Sequence, residues 1–528
     1  MANRKTDFKV NSTAILGLLI GIIIAVNVIS NYFFVRLDLT EDNIFTLSPI
    51  SIESVSNLDD KIFVRAYFSA DIPAPLSNTR QFLQDQLDEF RAYSDGKLDY
   101  EFISENLDEV GTKAGIQPVD LRVVENDEVS VRRVYLGLVM QYEDKQEVMP
   151  FIQNSNGLEY DLTKRILKLT SESTKKIGFL TGHDEVGNDL LQNARSHLSE
   201  QYQLVPVSLE FGKTVPADLE ALLVIAPKKA LSDWDNYAID QYIMTGGKVG
   251  FYLNKVSADI STQTAENIEL NVDGLMTHYG IKVNSNLVQD LLNQPISVSE
   301  RRGIFNVQRQ VPYPFLPLIR DFAKEDAMVK DLENVSLYFS STIDTTLAAD
   351  KPDVTFTPIA FTSPKTKLVS NNYSLYPPDP KTLNPNEYNL GRQAVAATLQ
   401  GKFTSYYHNK DKPQFLKEDS TVGFDPQSTL LETENARIFV AADGDFMQDN
   451  FMNQPDNLNF FLNSVDWLAS TEGLIQIRSR GVTDRPLEEI DDGTKNMIKW
   501  GNSVGLPLLV LLFGLVRWQM RKNRKVEI

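Results

Sequence analysis

Two short turns hold the side chains with most chemical potential. Gly182-His183-Asp184-Glu185 follows the apolar run from Lys176 to Leu180, and Asp443-Gly444-Asp445 follows the run Arg437 to Ala442. An imidazole titrates near neutrality, and carboxylates take up protons or bind hard cations through oxygen. If the two turns met, they would suit acid–base work or a divalent cation. Open parallel sheets bind ligands at the carboxyl ends of their strands, where both turns fall. The competing reading is structural: Asp184 or Glu185, and Asp445, cap the helices that follow, satisfying orphan N–H groups and the helix dipole. Capping is the simpler reading. The sequence therefore names no catalytic residue, no metal ligand and no cofactor. His183, Asp184, Glu185, Asp443 and Asp445 stand as candidate ligand-binding residues, on condition that their strands are neighbours.

Other chemistry is excluded more firmly. There is no cysteine, so disulfides, thiolate metal sites and cysteine nucleophiles are ruled out, and with four histidines a histidine-rich centre is not expected. No P-loop, nucleophile elbow or H-E-x-x-H pattern occurs.

The elements that must position these turns are α/β in type. After a connector (36–60) with a helix start at Ser48-Pro49, a strand at 61–69, a helix at 78–94 and a strand at 97–104 follow in order. A hairpin over 131–152 turning at Glu143-Asp144 and a helix over 158–171 complete the unit. This is the order of a thioredoxin-like unit (61–172) without its C-x-x-C, and so a scaffold. From 173 to 480, apolar strands alternate with helices: strands 176–180, 202–209, 221–227 and 248–254, with helices 188–201 and 233–247. That alternation predicts a doubly wound parallel sheet. Residues 256–435 read as a long insertion of short strands packed on the sheet, which resumes at 436–450 and is followed by a helix at 457–470. Within the insertion, Arg301-Arg302 reads as a solvated loop face and Val311–Ile319 as packed segment or partner groove.

Net charge is −19, yet residues 1–35 carry +2 and residues 517–528 carry +4, leaving about −25 on the body. Such a body repels phosphate backbones, so no nucleic-acid partner is expected. Val10–Val35 is uncharged and long enough to span a bilayer; Trp500–Val516 sits at the lower limit of length. Both are read as transmembrane helices in contact with membrane lipid, the second spanning 500–518, with 481–499 as linker and 519–528 as basic tail. Their outer flanks are basic, which by the positive-inside rule puts both termini in the cytoplasm and the body in the periplasm of a bacterial inner membrane.

Several stretches together resemble one family, in one order along the chain: LTEDNIFTLSPIS, KIFVRAYFSADIP, KKIGFLTGHDE, MTHYGIKVNSNLVQD, PYPFLPLI, GRQAVAATLQGKFTSYY, and RIFVAADGDFMQDN followed by NLNFFLNSVDWLASTEGLIQIRSRG. They look like the GldG-type auxiliary proteins of ABC transport systems, associated with gliding motility. The resemblance implies a non-ATPase subunit accompanying an ABC permease and a cytoplasmic ATPase, with a periplasmic domain similar to intraflagellar-transport-related and amidotransferase-like folds. It carries over no catalytic residue. The expected function is thus an accessory, non-enzymatic role in an export or envelope system, contacting a periplasmic substrate or envelope protein. The alternatives are a structural scaffold or adhesin, and an anchored hydrolase using the acidic turns.

Overall fold

The structure is a computed structural model. It describes residues 46–73, 76–125, 128–152, 157–171, 173–302, 305–330, 332–378, 383–425, 427–452, 454–470, 472–480 and 492–524, together with Leu18 and Gly21. The chain divides into two compact units, Met1–Val482 and Thr483–Ile528.

The larger unit is mixed α/β. Helix α1 (Pro49–Ser56) starts where expected: Pro49 sits at its first turn, and the Ser48 hydroxyl accepts the N–H of Ser51. Strand β1 (Ile62–Phe68) buries Ile62, Val64, Ala66 and Phe68, the period-2 pattern of a half-buried strand. Helix α2 (Thr79–Tyr93) lays Leu83, Leu87 and Phe90 on the same core. Strand β2 (Leu98–Ile103) pairs parallel to β1. Between it and the hairpin lie three elements not foreseen: helix α3 (Leu107–Lys113) and a separate two-stranded ribbon of β3 (Val119–Glu125) with β4 (Glu128–Val134). Val131–Val134 therefore belongs to this ribbon, and the expected hairpin is shorter: β5 (Leu136–Tyr142) and β6 (Lys145–Met149), turning at Glu143-Asp144. The sheet order is β2-β1-β5-β6, covered by helix α4 (Leu158–Thr170), which buries Leu158, Leu162, Ile166 and Leu169.

The second sheet has eight strands. Five are mutually parallel, in the order β8-β7-β9-β10-β16: β7 (Lys176–Thr181), β8 (Gln203–Ser208), β9 (Leu219–Ile225), β10 (Lys248–Tyr252) and β16 (Glu432–Ala441). Alternate residues serve opposite faces. Phe179, Leu223, Ile225 and Phe439 pack with helices α5 (Gln192–Ser199) and α8 (Pro455–Leu468); Leu222, Val224, Phe251 and Val440 pack with α6 (Asp233–Met244) and α7 (Asp273–Tyr279). Each fully buried Leu or Phe contributes about 1.5–3 kcal/mol, so both faces are strongly held.

The insertion does more than pack on the sheet; it extends it. Strands β13 (Asp321–Phe322), β14 (Val354–Phe361) and β15 (Ala394–Thr404) continue beyond β16, all antiparallel. Its strands are also not uniformly short, since β11 (Asn293–Arg302) and β12 (Phe305–Ile319) form a long ribbon. Arg301 is exposed on that ribbon rather than in a loop. Tyr313, Phe315 and Ile319 are buried, so Val311–Ile319 is core and not a groove. Helix α9 (Glu472–Arg480) closes the unit.

The smaller unit contains α10 (Asp492–Trp500), a π-helical turn (Gly501–Gly505) and α11 (Leu506–Arg524). Among the described residues no helix is long and apolar enough to cross a membrane. Within α11, Leu506–Val516 precedes Arg517, about 16 Å of apolar helix against a hydrocarbon layer of ~30 Å. The other expected span, Val10–Val35, lies outside the described residues apart from Leu18 and Gly21.

Candidate functional site

The strand order decides the question left open by the sequence. Strands β7 and β16 are not neighbours; β9 and β10 stand between them. Three inter-strand steps of ~4.8 Å set the two strand ends roughly 14 Å apart, so the condition that their strands be neighbours is not met. Each acidic turn has its own hydrogen-bond partners, with residues 226–229 lying between the two.

At the end of β7, His183 is held from both sides. Its Nδ1 lies 3.1 Å from Glu185 Oε1, and its Nε2 lies 3.0 Å from Asp235 Oδ2. Glu185 also accepts the His183 backbone N–H at 2.8 Å. Asp235 is the third residue of α6, where it forms a capping box with Ser232: its carboxylate accepts the Ser232 N–H at 2.7 Å while its own N–H donates to the Ser232 hydroxyl at 3.1 Å. Burial works against a charged imidazole, but the hydrogen bonds and negative charge of Asp235 and Glu185 outweigh it and hold His183 up at about 9. Burial likewise opposes ionisation of Asp235, yet the bonds from His183 and Ser232 keep its carboxyl below the usual range. A value of about 9 favours the protonated imidazole at neutral pH. In that form both ring nitrogens donate, one toward Glu185 and one toward Asp235.

The crevice beside it is closed as well. The chain steps outward from β7 to β8 and then back to β9, so the topological switch point lies between the ends of β7 and β9. There the backbone N–H groups of Lys228 and Lys229 donate to the His183 carbonyl at 2.9 and 3.0 Å. Asp184, at φ 55°, is exposed and pairs with Lys229 at 2.9 Å.

At the end of β16, Asp443 is fully buried. It accepts the N–H of Tyr338 at 2.6 Å and of Asp445 at 2.7 Å, so it pins a strap of the insertion to the sheet end. Burial, then the neighbouring Asp445 charge, push its carboxyl well above the usual range. Asp445 takes bonds from Asn254 at 2.9 Å and from Gln448; burial pushes it up to about 6 against the pull of Asn254, Lys228 and Gln448. Gly444 is required by space: a Cβ would sit 2.7 Å from both the Tyr252 carbonyl oxygen and Ala226 Cβ. Among the described residues no group of three or more His, Asp or Glu side chains is placed to hold a metal ion.

The sequence missed the partners of these residues. Asp235 was readable as a cap from Ser232-x-x-Asp235, but nothing local pointed it at His183, 52 positions away. A second buried cluster went unseen: Arg478 of α9 donates to Asp466 at 2.5 Å, Asn463 at 2.6 Å and Tyr160 of α4 at 2.7 Å, joining the two sheets of the larger unit.

Comparison with known proteins adds the following. The family described as an ABC-type uncharacterized transport system matches residues 174–469, from the approach to β7 to the end of α8. A domain of unknown function matches residues 41–141. An uncharacterized protein of Borreliella burgdorferi is 23% identical over 519 residues, covering 92% of this chain and 94% of that protein. The solved mmIFT52 N-terminal domain is 13% identical with a TM-score of 0.33, covering 56% of this chain and 97% of that one.

Proposed function

The chain belongs to the ABC-type uncharacterized transport system family, and from that premise we propose that it is a non-ATPase auxiliary subunit packing on an ABC permease served by a separate ATPase. The observation that carries the reading is the family match over 174–469, which takes in all eight strands of the larger sheet and both acidic turns. The chemistry of the sheet end supports the non-ATPase part. Where an open α/β sheet would take a phosphate, this one presents Glu185, Asp235 and Asp184, with the switch-point crevice closed by backbone hydrogen bonds. The imidazolium state of His183 argues in the same direction against a hydrolase that uses it as base.

In this reading the body lies in the periplasm, tethered to the inner membrane by the apolar segment Val10–Val35. The shorter segment Trp500–Val516 makes the permease-facing surface; Leu511, Leu512, Phe513, Leu515 and Val516 are all exposed on α11. The β1–β6 sheet serves as a thioredoxin-like scaffold, the larger sheet is amidotransferase-like in design, and the likeness to GldG-type subunits extends to function. Affinity capture of the full chain and of a chain lacking 500–528 tests this. The full chain should retain permease and ATPase, and the truncated chain should lose them. Equal retention by both would remove the role given to the second segment.

A further inference from the structure

Where α4 of the smaller sheet meets α9, the surface opens into a half-enclosed cavity of about 440 Å³. That volume falls within the ~300–1,000 Å³ of small-ligand sites. Its floor is apolar: Ile50 from α1, Leu167 from α4, Leu474 from α9 and the ring of Tyr202. Among the described residues, the charged side chains that line it are Lys164, Lys168 and Lys175, all of one sign in a chain of net charge −19.

Each lysine is anchored by acceptors outside the cavity, with Lys164 also 3.6 Å from Asp161 and Lys175 3.9 Å from Glu220. Lys164 pairs with Glu200, Lys168 lies 2.8 Å from Glu147, and Lys175 donates to the Ala469 carbonyl at 2.7 Å. An ammonium has three donors, so these contacts fix the stems without exhausting the hydrogen-bonding capacity of the heads. Thr170, Ser173 and Ser470 add hydroxyls at the mouth. We propose that this cavity binds a single-chain anionic amphiphile, with the alkyl chain on the floor and a carboxylate or phosphate head against the lysines. A small polar anion would leave the apolar floor wet. A neutral hydrocarbon would leave the ammonium donors not used by Glu200, Glu147 and Ala469 without a second acceptor in the cavity.

The walls come from both sheets of the larger unit, and Tyr202 donates through its hydroxyl to Asp466, the partner of Arg478. A bound chain therefore touches both sides of the junction that this buried cluster fastens. The inference rests on the cavity alone and stands apart from the transport reading.

The test uses the full chain in phosphatidylcholine nanodiscs and a dodecanoate carrying a terminal diazirine, with the matching alcohol as control. Photolabelling is mapped by peptide mass spectrometry. Label from the carboxylate probe should fall on the peptides holding 164–175 and 470–474, and the alcohol should label them several-fold less. Competition by unlabelled dodecanoate or by dodecyl phosphate should remove the label, and the tighter competitor identifies the head. Leu474→Trp, which fills the floor, should reduce labelling several-fold. Thr174→Trp, at an exposed position of the mouth where folding is not at risk, should do the same. Lys168→Gln with Lys175→Gln should erase the preference for the carboxylate. Label elsewhere, no loss in either Trp variant, no competition by either head, or equal labelling by the alcohol would each overturn the proposal.

Discussion

His183 Nε2 lies 3.0 Å from Asp235 Oδ2, the same oxygen that accepts the Ser232 N–H at 2.7 Å. One carboxylate thus caps α6 and clamps the turn after β7, fastening a strand end to the helix that covers the next strands. The relationship ties the His183 imidazole to the start of α6 through a single carboxylate oxygen.

A pH dependence follows, and its sign is fixed. His183 is held up at about 9 in the folded chain against an ordinary 6.5. A group whose proton is bound more tightly in the folded state adds stability that is complete below 6.5 and is lost as pH rises through about 9. At neutral pH the effect is roughly 2–3 kcal/mol. Thermal unfolding followed by circular dichroism should show the midpoint falling between those values, and His183→Gln should flatten that slope. Asp443 and Asp445 are both raised, the latter to about 6, so this interacting pair adds its own loss of stability as pH rises above about 4, which His183→Gln should leave in place.

The Arg478–Asp466 pair gives a sharper mutational contrast. Both side chains are buried, at 7% and 0% exposure, so removing one partner strands the other's charge. Arg478→Leu should cost about 3–5 kcal/mol in urea unfolding. The double variant Arg478→Leu with Asp466→Leu should recover much of that loss, because no lone charge remains. A double variant no better than the single one would show that the Tyr160 and Asn463 bonds dominate instead.

Gly444→Ala should destabilise the chain by roughly 1–3 kcal/mol, since the added methyl meets a backbone carbonyl oxygen that cannot move independently of β10. The same variant should raise amide exchange at Tyr338, whose N–H is held by Asp443.

The orientation can be read directly, because the chain has no cysteine of its own. Tyr376→Cys places a thiol at a position 66% exposed. A membrane-impermeant maleimide should label it in cells whose outer membrane alone has been opened. Labelling that requires rupture of the inner membrane would put the body on the cytoplasmic side.

Much of the fold was legible in the chain because its signals are local. Apolar runs such as Ala221–Ile225 and Ile438–Ala441 mark buried parallel strands, and Ser48-Pro49 and Ser232-x-x-Asp235 mark helix starts. Strand order is a long-range property, and it decided the site: the two acidic turns sit on strands separated by β9 and β10. The insertion was underread for a similar reason. Pro358 lies inside β14 and three prolines lie inside β12, residues that argue against strands until distant partners are in place. The Arg478 cluster had no local signal at all, since Tyr160 lies 318 positions away. The apolar count from Trp500 to Val516 carried no sign of the change from α to π geometry at Gly501–Gly505.

The central claim is that this chain works as an auxiliary subunit of an ABC system. Native mass spectrometry of the full chain, captured from its own cells in mild detergent, tests it most directly. One assembly containing this chain, a permease and an ATPase in fixed ratio is the expected result. Recovery of the chain alone, or only with copies of itself, across detergents that preserve other ABC complexes would contradict it.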